Sequence, residues 1–309
     1  MSSNTAKPVG TVGIIGLGLV GSAIAQRLQG AGYACVGFDI AVQTYEHFAA
    51  IGGKVATSAR DVGQKAAVLI TAVFDTNDVL KVIEGPNGAL EGAGALEGAG
   101  ALEGGKPQVI IDCSTGDPEL LTWFADRLRV RGIEFIEAPL SGSSAQIAAG
   151  EATMLLGGDA NTIAAHAALL DAIAPKRLHA GGAGMGARAK LATNLVLGLN
   201  RAAFAEGLAF AEKLGIAPGK FLELVLASPA RSDAAAVKGP LMVSGEFTPQ
   251  SRIRQHLKDV DMMLEHARRA HQRLPLSEAH AALMRAAIEA GDGELDNAAI
   301  VRQIRRETS

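Results

Sequence analysis

The chain has 309 residues, more than one hydrophobic core usually serves, so two domains are expected. Hydrophobic residues make up 48% and charged ones 20%, the balance of a globular chain rather than a disordered one. Its 29 Lys and Arg against 32 Asp and Glu leave a net charge of −3, without the basic excess that a general nucleic-acid or anionic-membrane binder needs. Two cysteines, Cys35 and Cys113, are too few for a disulfide framework or a Cys-built zinc cage, and no two histidines stand in an HxxxH pair, so no metal is expected. The first ten residues lack the apolar core of a signal peptide, and no run reaches the ~18 apolar residues of a membrane span. A cytoplasmic protein with neither membrane nor nucleic acid as partner is expected.

In chain order, the first half alternates short β-rich runs with helical patterns, the pattern of βαβ units and a parallel sheet. Strands are predicted over residues 11–15, 33–38, 68–73, 109–112 and 133–137, with a later one near 153–156. Helices are predicted between them over 19–30, 78–83 and 118–131. Residues 89–104 repeat Ala-Leu-Glu-Gly-Ala-Gly twice and begin a third copy, which suits a surface loop lengthened by duplication, since closure entropy grows only logarithmically with length. From Met185 the strand patterns stop. A long helical pattern runs to Leu214, followed by helices near 218–227, 251–271, 277–290 and 295–305. An α/β domain over 8–181 followed by an all-α domain over 182–309 is expected, with the switch in Gly181-Gly182-Ala183-Gly184. The apolar stretch 191–214 is expected to be buried.

After the first predicted strand the chain reads Gly16-Leu17-Gly18-Leu19-Val20-Gly21 and enters a helical pattern, and 21 residues past Gly18 the second strand ends in Asp39. Strand, glycine turn, helix and distal carboxylate together form a dinucleotide fingerprint, which makes the α/β half a Rossmann domain. Gly16 permits the tight turn, Gly18 lets backbone approach a pyrophosphate, and Gly21 allows close helix–strand packing. The phosphates then meet the unpaired N–H groups and positive dipole end of the helix, at Leu19 and Val20. A carboxylate at Asp39 suits the adenosine ribose hydroxyls and repels a 2′-phosphate, and no Lys or Arg follows before Lys54. NAD is the expected cofactor, ahead of NADP.

With these residues the chain resembles the β-hydroxyacid dehydrogenases, the family of 3-hydroxyisobutyrate dehydrogenase, tartronate semialdehyde reductase and L-threonate dehydrogenase. Asp112-Cys113-Ser114-Thr115 with Pro118 resembles the family's D-x-S-T-x-x-P segment, which implies Thr115 near the nicotinamide. Glu137-Ala138-Pro139-Leu140-Ser141-Gly142 resembles its substrate motif D-A-P-V-S-G-G. Gly182-x-Gly184 followed by Lys190 and Asn194 resembles its catalytic segment, and Lys258-Asp259 resembles its K-D-L segment, implying Lys258 near the cofactor. Departures occur at Glu137 for the usual Asp, at Ser143 for the second Gly, at Gln146, and at Val73-Phe74 for a Leu-Pro pair, where Phe74 keeps a backbone contact to the cofactor in prospect. Gln146 inclines the expected substrate toward polyhydroxylated acids. The resemblance also implies a homodimer or homotetramer joined through the helical domain.

Hydride transfer between an alcohol carbon and NAD requires a group that handles the hydroxyl proton. Lys190 is the candidate, with Asn194 one helical turn on and on the same face. Ser141 and Gly142 offer a hydroxyl and backbone N–H groups suited to a substrate carboxylate, and Ser143 a further hydroxyl. Arg231 is a weaker candidate for neutralising the acid. The expected function is an NAD-dependent oxidoreductase acting on a short 3-hydroxy acid. The alternatives are an imine reductase of the same architecture, against which Lys190 speaks, and an inactive dinucleotide-binding protein.

Overall fold

The run Thr-Val-Gly-Ile-Ile forms β1 (Thr11–Ile15), buried on both faces from Val12 onward, as a central parallel strand must be. In this computed structural model, which describes residues 10–91 and 107–307, it opens a Rossmann unit. There follow α1 (Leu19–Gly30), β2 (Ala34–Phe38), α2 (Tyr45–Ala50), β3 (Lys54–Val55), α3 (Ala59–Lys65), β4 (Val68–Thr71), α4 (Thr76–Glu84), β5 (Val109–Asp112), α5 (Pro118–Val130) and β6 (Glu134–Glu137). These six strands are all parallel and lie in the order β3-β2-β1-β4-β5-β6, so the strand order reverses at β1. Most of the hexamer repeat lies outside the described residues.

Side chains alternate along each strand and sort into two layers. Val12, Ile14, Ile70 and Ile111 pack with Leu28 of α1 on one face. Ile15, Leu69 and Ile110 pack with Val62, Ile83, Leu121 and Phe124 of α3, α4 and α5 on the other. Register puts Ile15 beside Thr71, Thr71 beside Asp112, and Asp112 beside Glu137, so the carboxyl edge of the sheet carries a row of buried polar side chains.

The sheet then changes character. The chain continues through β7 (Leu140–Ser141), α6 (Ser144–Ala149), β8 (Thr153–Gly158), α7 (Ala160–Ala165), α8 (Ala167–Ile173) and β9 (Lys176–Gly181). Both β6 and β7 pair antiparallel with β8, and β9 pairs parallel with its other side. The elements of this region that the sequence did not announce are short or polar: α6 has six residues, and β9 reads Lys-Arg-Leu-His-Ala-Gly on the sheet margin. The same holds for α2, β3 and α3 earlier in the chain.

The second half is all helical: α9 (Met185–Lys213), α10 (Pro218–Leu226), α11 (Asp233–Ser244), α12 (Ile253–Arg269), α13 (Pro275–Glu289) and α14 (Ile300–Glu307). Contacts divide the chain into two compact units between Lys190 and Leu191, within α9. The helical unit has its own core, in which Phe204 and Leu208 of α9 pack with Met242, Val260, Met284 and Val301. One expectation is corrected here. The apolar run of α9 is buried on one face only, and Val196, Phe210 and Leu214 stand 56%, 63% and 61% exposed. Alanine, leucine and phenylalanine positions spread around the whole helix cannot all turn inward when only one stripe of it meets the core. Among the described residues no helix is long and apolar enough to cross a membrane.

Candidate active site

At the end of β1 the chain turns sharply on Gly16, which has φ +94° and whose N–H donates to the Phe38 carbonyl at 2.9 Å. A Cβ there would meet the Ala72 carbonyl oxygen at 2.3 Å, and a Cβ on Gly21 would lie 1.8 Å from the Gly16 carbonyl oxygen. Gly18 differs: it is exposed, and a Cβ on it would meet nothing within 4 Å. No side chain caps α1 and no acidic residue stands in its first turn, so the N–H groups near Leu19 and Val20 face an open, electropositive end. The cradle fits a dinucleotide pyrophosphate, because two glycines hold the turn tight and the third leaves its outer side clear.

Asp39 stands at the end of β2, half-buried. Its Oδ2 accepts the Leu17 N–H at 2.6 Å and its Oδ1 the Ala41 N–H at 2.8 Å. It therefore buttresses the glycine loop from behind. Each carboxylate oxygen keeps a second lone pair for a ribose hydroxyl.

The ends of β4 and β5 are laced together. Thr71 donates its hydroxyl to Asp112 Oδ1 at 2.8 Å, the Ser114 N–H donates to the same oxygen at 3.0 Å, and the Val73 N–H donates to Ser114 Oγ at 3.0 Å. This explains Asp and Ser in the Asp112–Thr115 segment as a brace. It leaves Phe74, 45% exposed, and half-buried Thr115 on the carboxyl side of the sheet, where open α/β folds bind ligands. Asp117 then caps α5 by accepting the Glu119 and Leu120 N–H groups.

Beyond β6 the chain reads Glu137 to Gly142, with Gly142 at φ +151°. Glu137 is buried, and its two oxygens accept N–H groups at the start of α9: Oε1 from Gly184, and Oε2 from Ala187 at 2.8 Å. Burial pushes its pKa up, opposed by those two bonds. Lys190, 6% exposed, donates from Nζ to the Leu140 carbonyl at 2.7 Å. The amine thus lies against the residue before Ser141 and Gly142. Ser143 is buried and caps α6: its Oγ accepts the Gln146 N–H at 3.3 Å while Gln146 Oε1 accepts the Ser143 N–H at 2.9 Å. The two departures from the family pattern are the two halves of one capping box, Ser-x-x-Gln. The spacing was a signal available in the sequence.

Within the helical unit, Asn194 is buried and its Nδ2 donates to Asp259 Oδ2 at 3.0 Å. Lys258 Nζ lies 3.1 Å from Asp259 Oδ1. Asp259 thus joins Asn194 to Lys258. Arg231 is exposed, in the turn between α10 and α11.

The chain is similar to known proteins over nearly its whole length. Residues 11–182 match the family model described as the NAD binding domain of 6-phosphogluconate dehydrogenase, and residues 184–304 that described as NAD-binding of NADP-dependent 3-hydroxyisobutyrate dehydrogenase. The chain is 31% identical to the L-threonate dehydrogenase of Cupriavidus necator over 292 residues, 94% of this chain and 95% of that one. It is 27% identical to the 2-hydroxy-3-oxopropionate reductase of Escherichia coli over 293 residues, 95% and 96% of the two chains. Among solved structures it superposes on a 3-hydroxyisobutyrate dehydrogenase from Salmonella typhimurium with a TM-score of 0.82 and 25% identity, covering 94% of this chain and 99% of that one.

Proposed function

Because the chain belongs to the β-hydroxyacid dehydrogenase family, we propose that it oxidises a short 3-hydroxy acid, or reduces the matching semialdehyde, with Lys190 carrying the hydroxyl proton. The observation that carries this reading is the Lys190 amine, buried and tethered to the carbonyl that precedes Ser141 and Gly142.

Gly16, Gly18, Leu19, Val20 and Gly21 would hold the pyrophosphate of NAD, Asp39 its ribose, and Phe74 and Thr115 the nicotinamide side. Bound there, the cofactor supplies the hydride acceptor or donor. A neutral Lys190 gives one N–H to Leu140 and keeps its lone pair for the substrate hydroxyl proton; the ammonium that results returns a proton to an alkoxide without releasing Leu140. Ser141 and the N–H groups about Gly142 suit a carboxylate, and the positive φ of Gly142 supports that use of the backbone. Asn194, four residues beyond Lys190, carries an amide suited to a substrate hydroxyl, and its bond to Asp259 fixes that amide. Asp39, with no Lys or Arg near it in sequence, favours NAD over NADP. The relative named for L-threonate, and Gln146, incline the substrate toward polyhydroxylated acids. A homodimer or homotetramer through the helical half belongs to the same reading, supported by the exposed Val196, Phe210 and Leu214 of α9. Light scattering tests it, and a monomer at micromolar concentration refutes it.

The deciding experiment presents 3-hydroxyisobutyrate, L-threonate and related hydroxy acids with NAD⁺ or NADP⁺ and follows absorbance of the reduced nicotinamide. Turnover of at least one acid, faster with NAD⁺, is expected; activity on cyclic imines alone would replace this reading with imine reduction. Lys190→Ala is expected to lower turnover by about 10²–10⁴ with NAD⁺ affinity intact. Near-normal turnover in that variant removes Lys190 from the chemistry.

A further inference from the structure

Glu137 and Lys190 belong to a repeated arrangement. The segment Glu137–Leu140 is joined to the first turns of α9 by three bonds: Glu137 to Gly184, Glu137 to Ala187, and Leu140 to Lys190. The last two link residues three apart on the segment to residues three apart on the helix. The chain thus forms a closed clamp whose two parallel tethers fix the rotation and advance of the helix start. A helix N-terminus leaves its first N–H groups without intrahelical partners, and here a carboxylate from the sheet edge takes two of them.

Room for that carboxylate is made by two glycines. A Cβ on Gly186 would lie 3.0 Å from the Cβ of Glu137 and 2.8 Å from the Gly157 nitrogen. A Cβ on Gly157 would lie 3.2 Å from the Glu137 Cδ and 2.5 Å from the Gly186 nitrogen. The start of α9 is held from the other side as well, where Thr122 of α5 donates to the Ala183 carbonyl at 3.3 Å and Arg188 pairs with Glu119 at 3.1 Å. A helix cap alone would not need a fully buried carboxylate, since a half-buried Asp serves, as Asp117 does for α5. A carboxylate out of water is costly unless it is hydrogen-bonded, and both Glu137 oxygens spend their bonds on the start of α9.

We propose that Glu137 is the positioning residue for Lys190, its carboxylate locking the first turn of α9 against the 137–140 segment so that the lysine amine stays on the Leu140 carbonyl beside Ser141 and Gly142. This assignment takes Lys190 as the proton carrier, as above, and it distinguishes Glu137 from a cap that only stabilises the helix.

Competitive amine acylation of the whole protein without substrate, read by peptide mass mapping, measures how firmly Lys190 is held. Lys65 and Lys220, both exposed, serve as internal references. The amide of Glu137→Gln has one acceptor oxygen and sets N–H against N–H at the other bond. Lys190 acylation should rise about five-fold or more, the population change that one lost hydrogen bond produces, with both references and the circular dichroism unchanged. An unchanged Lys190 rate in folded Glu137→Gln overturns the proposal. If that variant does not fold, Glu137→Asp keeps the charge but retracts it by a methylene, and it should raise the rate to a smaller extent; a rate equal to the parent's overturns the proposal equally.

Turnover supplies the second readout. Glu137→Gln should lower kcat by about 10- to 100-fold, the cost of a misplaced catalytic group, with the acid's KM and the NAD⁺ affinity within about two-fold. In a Lys190→Ala background it should add no further loss, since residues acting through one another are not additive. Equal losses in both backgrounds refute positioning, whereas normal turnover of Lys190→Ala alone refutes the proton-carrier role and leaves the acylation result to stand or fall by itself.

Discussion

Three glycines in the β1–α1 turn have three different reasons to be glycine, and single alanine substitutions separate them. Gly18 has a negative φ and open space where a Cβ would go, so Gly18→Ala should melt within a degree or two of the parent, while losing about ten-fold or more in NAD⁺ affinity because the methyl stands where the pyrophosphate would lie. Gly21→Ala drives a methyl into the Gly16 carbonyl, and backbone cannot give way as a side chain does; it should cost about 3 kcal/mol or more. Calorimetry alongside ligand titration checks both. Equal losses of stability would mean that the outer side of Gly18 is not free. Asp39→Ala should weaken NAD⁺ and narrow the gap to NADP⁺, read as the ratio of the two affinities; an unchanged ratio would mean the carboxylate serves only the Leu17 and Ala41 N–H groups. The motif was legible because each glycine's spacing carries its reason. The second task of Asp39 was not, since it depends on where two backbone N–H groups point after the loop has folded.

Among elements, length and regularity decided what could be read. Thr11–Ile15, Leu19–Gly30 and Val109–Asp112 carry unbroken apolar or periodic patterns, and they form as the sequence predicts, to the residue. Six- and seven-residue helices have too few turns to show a period, so α3, α6 and α7 were silent in that respect. Their starts were written all the same: Ser58 accepts the Asp61 N–H, Ser143 the Gln146 N–H, and Asp159 the N–H groups of Asn161 and Thr162. Ser143 and Gln146, which depart from the family's substrate motif, form a reciprocal cap. Ser143→Ala should therefore cost about 1 kcal/mol in chemical denaturation. The double change with Gln146→Ala should cost less than the sum of the two, because each residue's bond depends on the same turn. Strict additivity would show that the box is not formed in solution.

Across the whole molecule, the least legible feature is the polar interior of the helical unit, because no spacing announces it. Lys238 pairs with Asp296 at 2.8 Å with both side chains buried, and Asp296 also accepts the N–H groups of Gln250, Ser251 and Ala298. Arg201 of α9 is 4% exposed, and its Nε and Nη2 have no partner among the described residues. The rings of His256 on α12 and His280 on α13 lie 5.4 Å apart, and a Cβ on Gly198 of α9 would strike both, so a glycine in the helix gives the histidines their space. Burial, then the Arg201 charge, lowers the pKa of His280 to about 4 from an ordinary value of 6.5. The unfolded chain therefore binds a proton at His280 between those values and the folded chain does not. By linkage, stability from this group is fully present above about pH 6.5 and falls as the pH drops toward 4, by on the order of 3 kcal/mol in all. Carboxylates that titrate over the same range are held constant by comparing the parent with His280→Asn, which has no proton to take up. The parent should lose several degrees more than the variant between pH 7 and pH 5, as calorimetry would read it, given the few degrees per kcal/mol expected of a unit this size. Parallel melting curves for the two proteins would mean that His280 is reached by water, and that the cationic interior of the helical unit is not closed.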